Sequence, residues 1–189
     1  MERACFKRHP SPANPLADRN SKCDELSRNM GTEIERKFLP KGDDWKRAID
    51  APGVSIRQGY LSSVKERTVR VRVKGEQAWI TVKGITTGAS RPEFEYPIPL
   101  EEAAWMLDRL CERPLIEKTR YVVHRNGCAF EIDEFHAENA GLVLVEVELA
   151  SEDQVVELPE WIGEEVTHDA RYYNSSLARR PYARWPERS

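Results

Sequence analysis

Apolar and polar residues alternate with a period of two through a long series of short segments. In an extended chain successive side chains point to opposite faces, so each such segment predicts a strand with one face of each kind. In Glu33–Phe38, the side chains of Glu33, Glu35 and Lys37 share one face, and Ile34, Arg36 and Phe38 share the other. Val54–Leu61 is a second strand, with Arg57 available to one face. Thr68–Lys74 separates Val69, Val71 and Val73 from Arg70, Arg72 and Lys74; Gly75-Glu76-Gln77 then turns the chain into Trp79–Lys83. Arg91–Ile98 puts Glu93 and Glu95 on one face, and Ile116–Val123 does the same with Lys118 and Arg120. Asn126-Gly127 is a two-residue hairpin signal. It leads into Cys128–Phe135, with Glu131 and Asp133 together, and Leu142–Leu149 then groups Leu144, Glu146 and Glu148.

Over Leu100–Glu112 the period lengthens to helical spacing. Ala103, Ala104, Met106, Leu107, Leu110 and Cys111 form an apolar stripe that Pro114 ends. Shorter helices are expected over Trp45–Ile49, from Ser151 to before Pro159, and from Ala170 to about Arg179. Asp169 would cap the last, which carries Arg171 and Asn174. Residues 1–30 have no hydrophobic period and read as a flexible extension, with Met30 as an alternative start. Residues 31–178 form the folded domain, and 179–189 a polar tail with two prolines.

Composition narrows the class. With 189 residues, 40% hydrophobic and 32% charged, the chain is long enough for one domain with a real core. No run approaches the roughly 18–20 apolar residues of a membrane span. A net charge of -3 argues against a general nucleic-acid binder. Cys5, Cys23, Cys111 and Cys128 lack metal-site or disulfide-framework spacing and read as free thiols of a cytoplasmic protein.

The charges are sorted by strand into acidic pairs and basic pairs. A solvated sheet face would mix in Ser, Thr, Asn and Gln, and exposed ion pairs stabilise by only about 0–1 kcal/mol each. Like charges at neighbouring positions persist mainly where a ligand or metal offsets their repulsion. Many antiparallel strands with few helices favour closure into a barrel, whose lumen would then carry this charge. A lumen with both signs suits a polyphosphate and its divalent cations: Arg and Lys hold phosphate oxygens, and paired carboxylates hold Mg²⁺ or Mn²⁺.

Glu33-Ile34-Glu35-Arg36-Lys37-Phe38 resembles the ExExK signature of the CYTH domain, the triphosphate tunnel metalloenzyme superfamily. The resemblance runs in order through Arg57-Gln58-Gly59-Tyr60-Leu61, Arg70 and Arg72, Thr81-Val82-Lys83 and Glu93-Phe94-Glu95-Tyr96. It continues through Glu117-Lys118-Thr119-Arg120-Tyr121, Phe130-Glu131-Ile132-Asp133 and Val145-Glu146-Val147-Glu148, and ends at Arg171-Tyr172-Tyr173-Asn174. It is strongest toward the short bacterial inorganic triphosphatases. The resemblance implies an α+β fold: a closed eight-stranded antiparallel β-barrel, or tunnel, with a charged lumen and a few flanking helices. It implies Glu33, Glu35, Glu146 and Glu148 as ligands of Mg²⁺ or Mn²⁺, two ions in all, with Glu93, Glu95 and Asp133 as further candidates. Lys37, Arg57, Arg70, Arg72, Lys83, Lys118 and Arg120 would hold phosphates, and Arg171 would close one mouth. Glu35, Lys37, Lys83 and Tyr60 are the candidates for the catalytic set.

The implied reaction is hydrolysis of inorganic triphosphate to diphosphate and phosphate, without nucleic acid or membrane and with a homodimer as the candidate assembly. The rivals are an organic triphosphate hydrolase, an adenylyl cyclase and a non-catalytic polyphosphate-binding module. His9, His124, His136 and His168 read as surface or capping residues. Trp45, Trp105 and Trp161 read as packing residues, and Arg36 as exterior. Tyr60 and Glu131 are each balanced between a structural role and the site.

Overall fold

The structure, a computed structural model, describes residues 34–64, 66–85, 92–151 and 153–186. The alternating segments become nine strands: β1 Ile34–Pro40, β2 Val54–Ser62, β3 Thr68–Lys74, β4 Gln77–Lys83, β5 Glu93–Pro97, β6 Ile116–Arg125, β7 Cys128–Phe135, β8 Val143–Leu149 and β9 Ile162–Glu165. They form one antiparallel sheet in the order β5-β4-β3-β2-β6-β7-β8-β1-β9. At the β6–β7 turn Asn126 and Gly127 both have positive φ, 52° and 77°, the conformation that pairs twisted strands in a two-residue hairpin.

The expected closed ring of eight strands differs from this sheet. Among the described residues the sheet has nine strands, and β5 and β9 stand at its two ends without pairing to each other. The added strand, β9, takes the free edge of β1 through Phe38↔Glu165 and Pro40↔Ile162, an edge that closure of an eight-stranded ring would require. Four residues are too few to show alternation. Arg36, on the exterior as expected, anchors this edge with its Nη2 2.6 Å from Glu165 Oε2.

Helix α1, Leu100–Arg109, buries Ala103 and Leu107 with Val71, Ala78, Cys111 and Leu115 on the outer side of β3 and β4. Trp105, expected in packing, is instead 58% exposed. A Cβ at Gly59 would lie 2.6 Å from Leu115 Cδ2, so β2 also packs flush on this side and its inner positions are Ile56, Gln58 and Tyr60. A second cluster joins Phe38, Trp45, Phe130, Ile132, Val145 and Val147 on the outer faces of β1, β7 and β8.

The helix expected between Ser151 and Pro159 is absent from the described residues there, 153–159. The β-branched pair Val155-Val156 disfavours one, and Gln154 Oε1 accepts instead from the Ala150 amide at 2.7 Å. The last predicted helix divides into a 3-10 turn, Ala170–Tyr172, and helix α2, Asn174–Arg179, because Tyr173 is extended at φ -72°, ψ 137°. Asp169 caps the turn through the Arg171 amide.

A third cluster decides where the site can lie. Toward one end the inner face of the sheet turns apolar at Ile116, Phe135 and Leu144, and Tyr172, Leu177 and Trp185 pack there. The stretch after Arg179, read as a polar tail, thus supplies Trp185 to a buried core. No described helix is long and apolar enough to cross a membrane.

Candidate active site

The inner face of the curled sheet encloses a cavity of about 360 Å³, bounded by β1–β4, β6–β8 and Tyr173, Asn174 and Ser175. Strand register explains how distant residues meet there. Glu35 lies opposite Glu148 and Lys37 opposite Glu146 on β1 and β8. Glu131 faces Glu146 from β7, and Arg120 faces Asp133 from β6. Gln58 and Tyr60 of β2 lie opposite Arg72 and Arg70 of β3. On the far side Lys83 pairs with Glu93, and Thr81 with Glu95.

The acidic half is threaded by cations. Lys37 Nζ lies 2.7 Å from Glu35 Oε1 and 2.5 Å from Glu146 Oε1. Arg120 reaches Glu131, Asp133 at 2.6 Å and Glu146 at 2.8 Å, and Lys118 Nζ lies 2.5 Å from Asp133 Oδ2. Asp133 has no exposed surface and, among the described residues, is paired with both of these cations. Burial would raise the Glu146 carboxyl, but Lys118, Lys37 and Arg120 outweigh it and hold the group near 2. Burial likewise opposes charge on Lys37, yet Glu146 and Glu35 leave its pKa raised. Glu148 is exposed and, among the described residues, has no ion-pair partner.

The basic half is less compensated. Arg72 Nη2 lies 3.1 Å from Glu95 Oε2, and Arg70 Nη2 3.6 Å from the same oxygen, so one carboxylate serves two guanidiniums. Burial and then Arg70 push the Arg72 pKa down. Lys83 Nζ lies 2.7 Å from Glu93 Oε2. Among the described residues, Nε of Arg70 and of Arg72, and Nε2 of Gln58, are buried without a hydrogen-bond partner. Groups of this kind, excess positive charge and unused donors, call for an anion with several acceptor oxygens.

Two expected positions need correction. Arg57 faces away from the cavity: its Nη2 lies 3.0 Å from Asp108 Oδ1 of α1 and its Nε 3.3 Å from Glu117 Oε1. The strand alternation that admits Gln58 and Tyr60 to the inner face excludes Arg57 from it. Arg171 belongs to the 3-10 turn rather than the last helix, and its Nη2 lies 2.6 Å from Asp169 Oδ2. Its guanidinium sits 5.0 Å over the Trp185 ring, outside the cavity wall, and Tyr173, Asn174 and Ser175 line the mouth instead. Glu33 lies outside the described residues. Sequence reasoning missed Gln58, which two-residue spacing from Tyr60 could have found.

Glu35 and Glu148, neighbours across the ladder, offer the all-oxygen donor set that hard divalent ions take. Among the described residues no three His, Cys, Asp or Glu side chains converge as a ready metal cluster, since Lys37 stands between Glu35 and Glu146.

Comparison with known proteins places the chain among characterised relatives. The CYTH domain family model matches residues 31–182. The chain is 50% identical over 158 residues to an inorganic triphosphatase of Acetivibrio thermocellus, covering 84% of this chain and 100% of that protein. It is 41% identical over 155 residues to an inorganic triphosphatase of Nitrosomonas europaea, covering 78% of this chain and 97% of that one. The crystal structure of an inorganic triphosphatase, 37% identical, matches with a TM-score of 0.60 over 79% of this chain and 95% of that chain.

Proposed function

This chain belongs to the CYTH domain family, and from that premise we propose that it is a metal-dependent hydrolase splitting inorganic triphosphate into diphosphate and phosphate inside the charged cavity. The observation that carries the reading is the division of one enclosed face into a carboxylate half and a half with unused cationic donors. Arg70, Arg72, Lys83, Lys118 and Arg120 would hold the phosphate oxygens. Hydrolysis of such a substrate depends chiefly on positioning and charge stabilisation, and no nucleophilic side chain is required.

Glu35, Glu146 and Glu148, with Glu33 two residues before Glu35, would hold the divalent cation, Mg²⁺ or Mn²⁺, in two copies; Glu93 and Glu95 are further candidates on β5, whereas Asp133 is engaged by Lys118 and Arg120. Such ions supply charge neutralisation and a water made acidic enough to attack at neutral pH. Lys37, already charged and buried between Glu35 and Glu146, orients those two carboxylates and offers its ammonium to a developing phosphate charge. Tyr60, buried opposite Arg70 in register, lines the same cavity and is the candidate to deliver or take a proton. We read β1–β8 as the tunnel, with β9 as an added edge strand. The cavity that β1 and β8 share with β3 and β4 supports this reading. The free thiols of Cys111 and Cys128 are in keeping with a cytoplasmic enzyme.

The test is phosphate release from tripolyphosphate, ATP and thiamine triphosphate in parallel, each with Mg²⁺, Mn²⁺ or EDTA, beside Glu35→Gln. Metal-dependent release from tripolyphosphate well above the other two, lost in the variant, is the expected result. Faster release from an organic triphosphate would move the substrate, and no release from any would sink the hydrolase reading.

A further inference from the structure

Gln58 is an uncharged amide in a cavity wall rich in charged side chains, and it is 2% exposed. It lies on the inner face of β2 between Ile56 and Tyr60, opposite Arg72 on β3 and Ile116 on β6. Its Nε2 is buried with no hydrogen-bond partner among the described residues, as are the Nε atoms of Arg70 and Arg72 on the adjacent strand. A buried amide donor left unmade weakens a fold, and a well-packed apolar side chain of the same shape would relieve the cost. A residue kept at the expense of stability, aimed into a cavity, is the pattern of a group reserved for a ligand.

We propose that Gln58 is a substrate-binding residue, donating from Nε2 to a phosphate oxygen of the triphosphate beside the guanidiniums of Arg70 and Arg72. The inference rests on the functional reading above and adds a contact outside the set of charged residues. The position gives the contact a purpose. Gln58 stands where the inner face passes from charged residues to the apolar end at Ile116. A donor without charge fixes an oxygen there without adding a third cation beside Arg70 and Arg72, where burial and Arg70 already disfavour the charge on Arg72. It also does so away from Glu146, from which β6 and β7 separate β2 in the sheet.

The experiment compares wild-type protein with Gln58→Met, which keeps length and volume but removes the donor. Tripolyphosphate affinity is measured by calorimetric titration in EDTA, so that no turnover intervenes, and thermal unfolding is followed without ligand. An unliganded Tm that holds or rises, with affinity about 10–100-fold weaker, is expected for the loss of one hydrogen bond to a charged oxygen. A variant with undiminished affinity overturns the inference, and a lowered Tm with unchanged affinity makes Gln58 a packing residue. Should the variant not fold, nitrogen–proton spectra of the wild-type side-chain amides decide the matter. The Gln58 signal must shift when tripolyphosphate is added in EDTA, and a signal that stays in place overturns the proposal. If wild-type protein releases no phosphate from tripolyphosphate with Mg²⁺ or Mn²⁺, the functional reading falls and takes this one with it; if it does release phosphate but the Gln58 variant binds as wild type does, only this inference falls.

Discussion

Lys37 and Glu146 face each other across the β1–β8 ladder, with Nζ 2.5 Å from Oε1 and both residues buried. Glu146 also accepts from Arg120 Nη2 at 2.8 Å, so one carboxylate is held by cations from two neighbouring directions in the sheet. Such a pair fixes the local geometry more than it stabilises the fold, because both charges were taken out of water to make it. Removing one partner is therefore costly.

This arrangement predicts a specific acid response. Glu146 is depressed from 4.5 to about 2, so its charge contributes stability above the unfolded value and loses it as pH falls through the folded one. A shift of that size corresponds to on the order of 3 kcal/mol. Thermal unfolding of wild-type and Glu146→Gln protein should differ by a constant amount above about pH 5, and the gap should narrow toward pH 2. A gap that does not change over that interval would remove Glu146 as the responsible group.

Arg57 and Arg72 should behave differently on substitution. Arg57→Ala removes a half-exposed pair with Asp108 and Glu117 on the outer side, worth about 0–1 kcal/mol of stability. Its kcat/KM for tripolyphosphate should stay within about threefold of wild type. Arg72→Ala removes a partly buried guanidinium from the cavity wall and should lower kcat/KM by about 100-fold, in line with a lost charge-assisted contact. Equal losses in the two variants, read from initial rates, would reverse the assignment of their faces.

The same contrast shows what the sequence made legible. Arg70 and Arg72 alternate with Val69, Val71 and Val73, and Glu146 with Val145 and Val147, so polarity alone sorts the two faces. On β2 it does not: Ile56, Gln58 and Tyr60 face the cavity, while Arg57, Gly59 and Leu61 face the side packed by α1 and Leu115. Both faces are covered, both carry apolar residues, and the charge on Arg57 was the misleading cue. β9 was invisible for another reason, since its pairing depends on the edge of β1 rather than on any pattern in Ile162–Glu165. Trp185 sits among polar residues and prolines, and only the apolar patch of Phe135 and Leu144, distant in sequence, gives it a place to go.

Arg171→Ala tests the mouth of the cavity. Its guanidinium is engaged by Asp169 and lies over Tyr172 and Trp185, at 5.8 and 5.0 Å, rather than on the cavity wall. Turnover of tripolyphosphate should therefore change by less than about threefold, with only a small loss of stability. A large rise in KM with an unchanged Tm would mean that Arg171 swings onto the substrate after all.

Trp185 ties the end of the chain to the site. Its ring meets Tyr172 edge-on at 5.1 Å and Tyr182 at 4.9 Å, and its Nε1 donates to the Arg180 carbonyl at 3.2 Å. Trp185→Ala should cost about 3–5 kcal/mol, the range for deleting a buried aromatic side chain, and Trp185→Phe should recover part of it. The effect should reach the substrate, because Tyr172 leads directly into Tyr173, Asn174 and Ser175 at the cavity mouth. Loosening that anchor should raise KM for tripolyphosphate severalfold in protein that is still folded at the assay temperature. Urea unfolding and initial rates on the two variants, together with a chain ending at Arg180, measure both consequences. If the shortened chain unfolds at the wild-type midpoint with an unaltered KM, the residues beyond Arg180 do not anchor the mouth of the site.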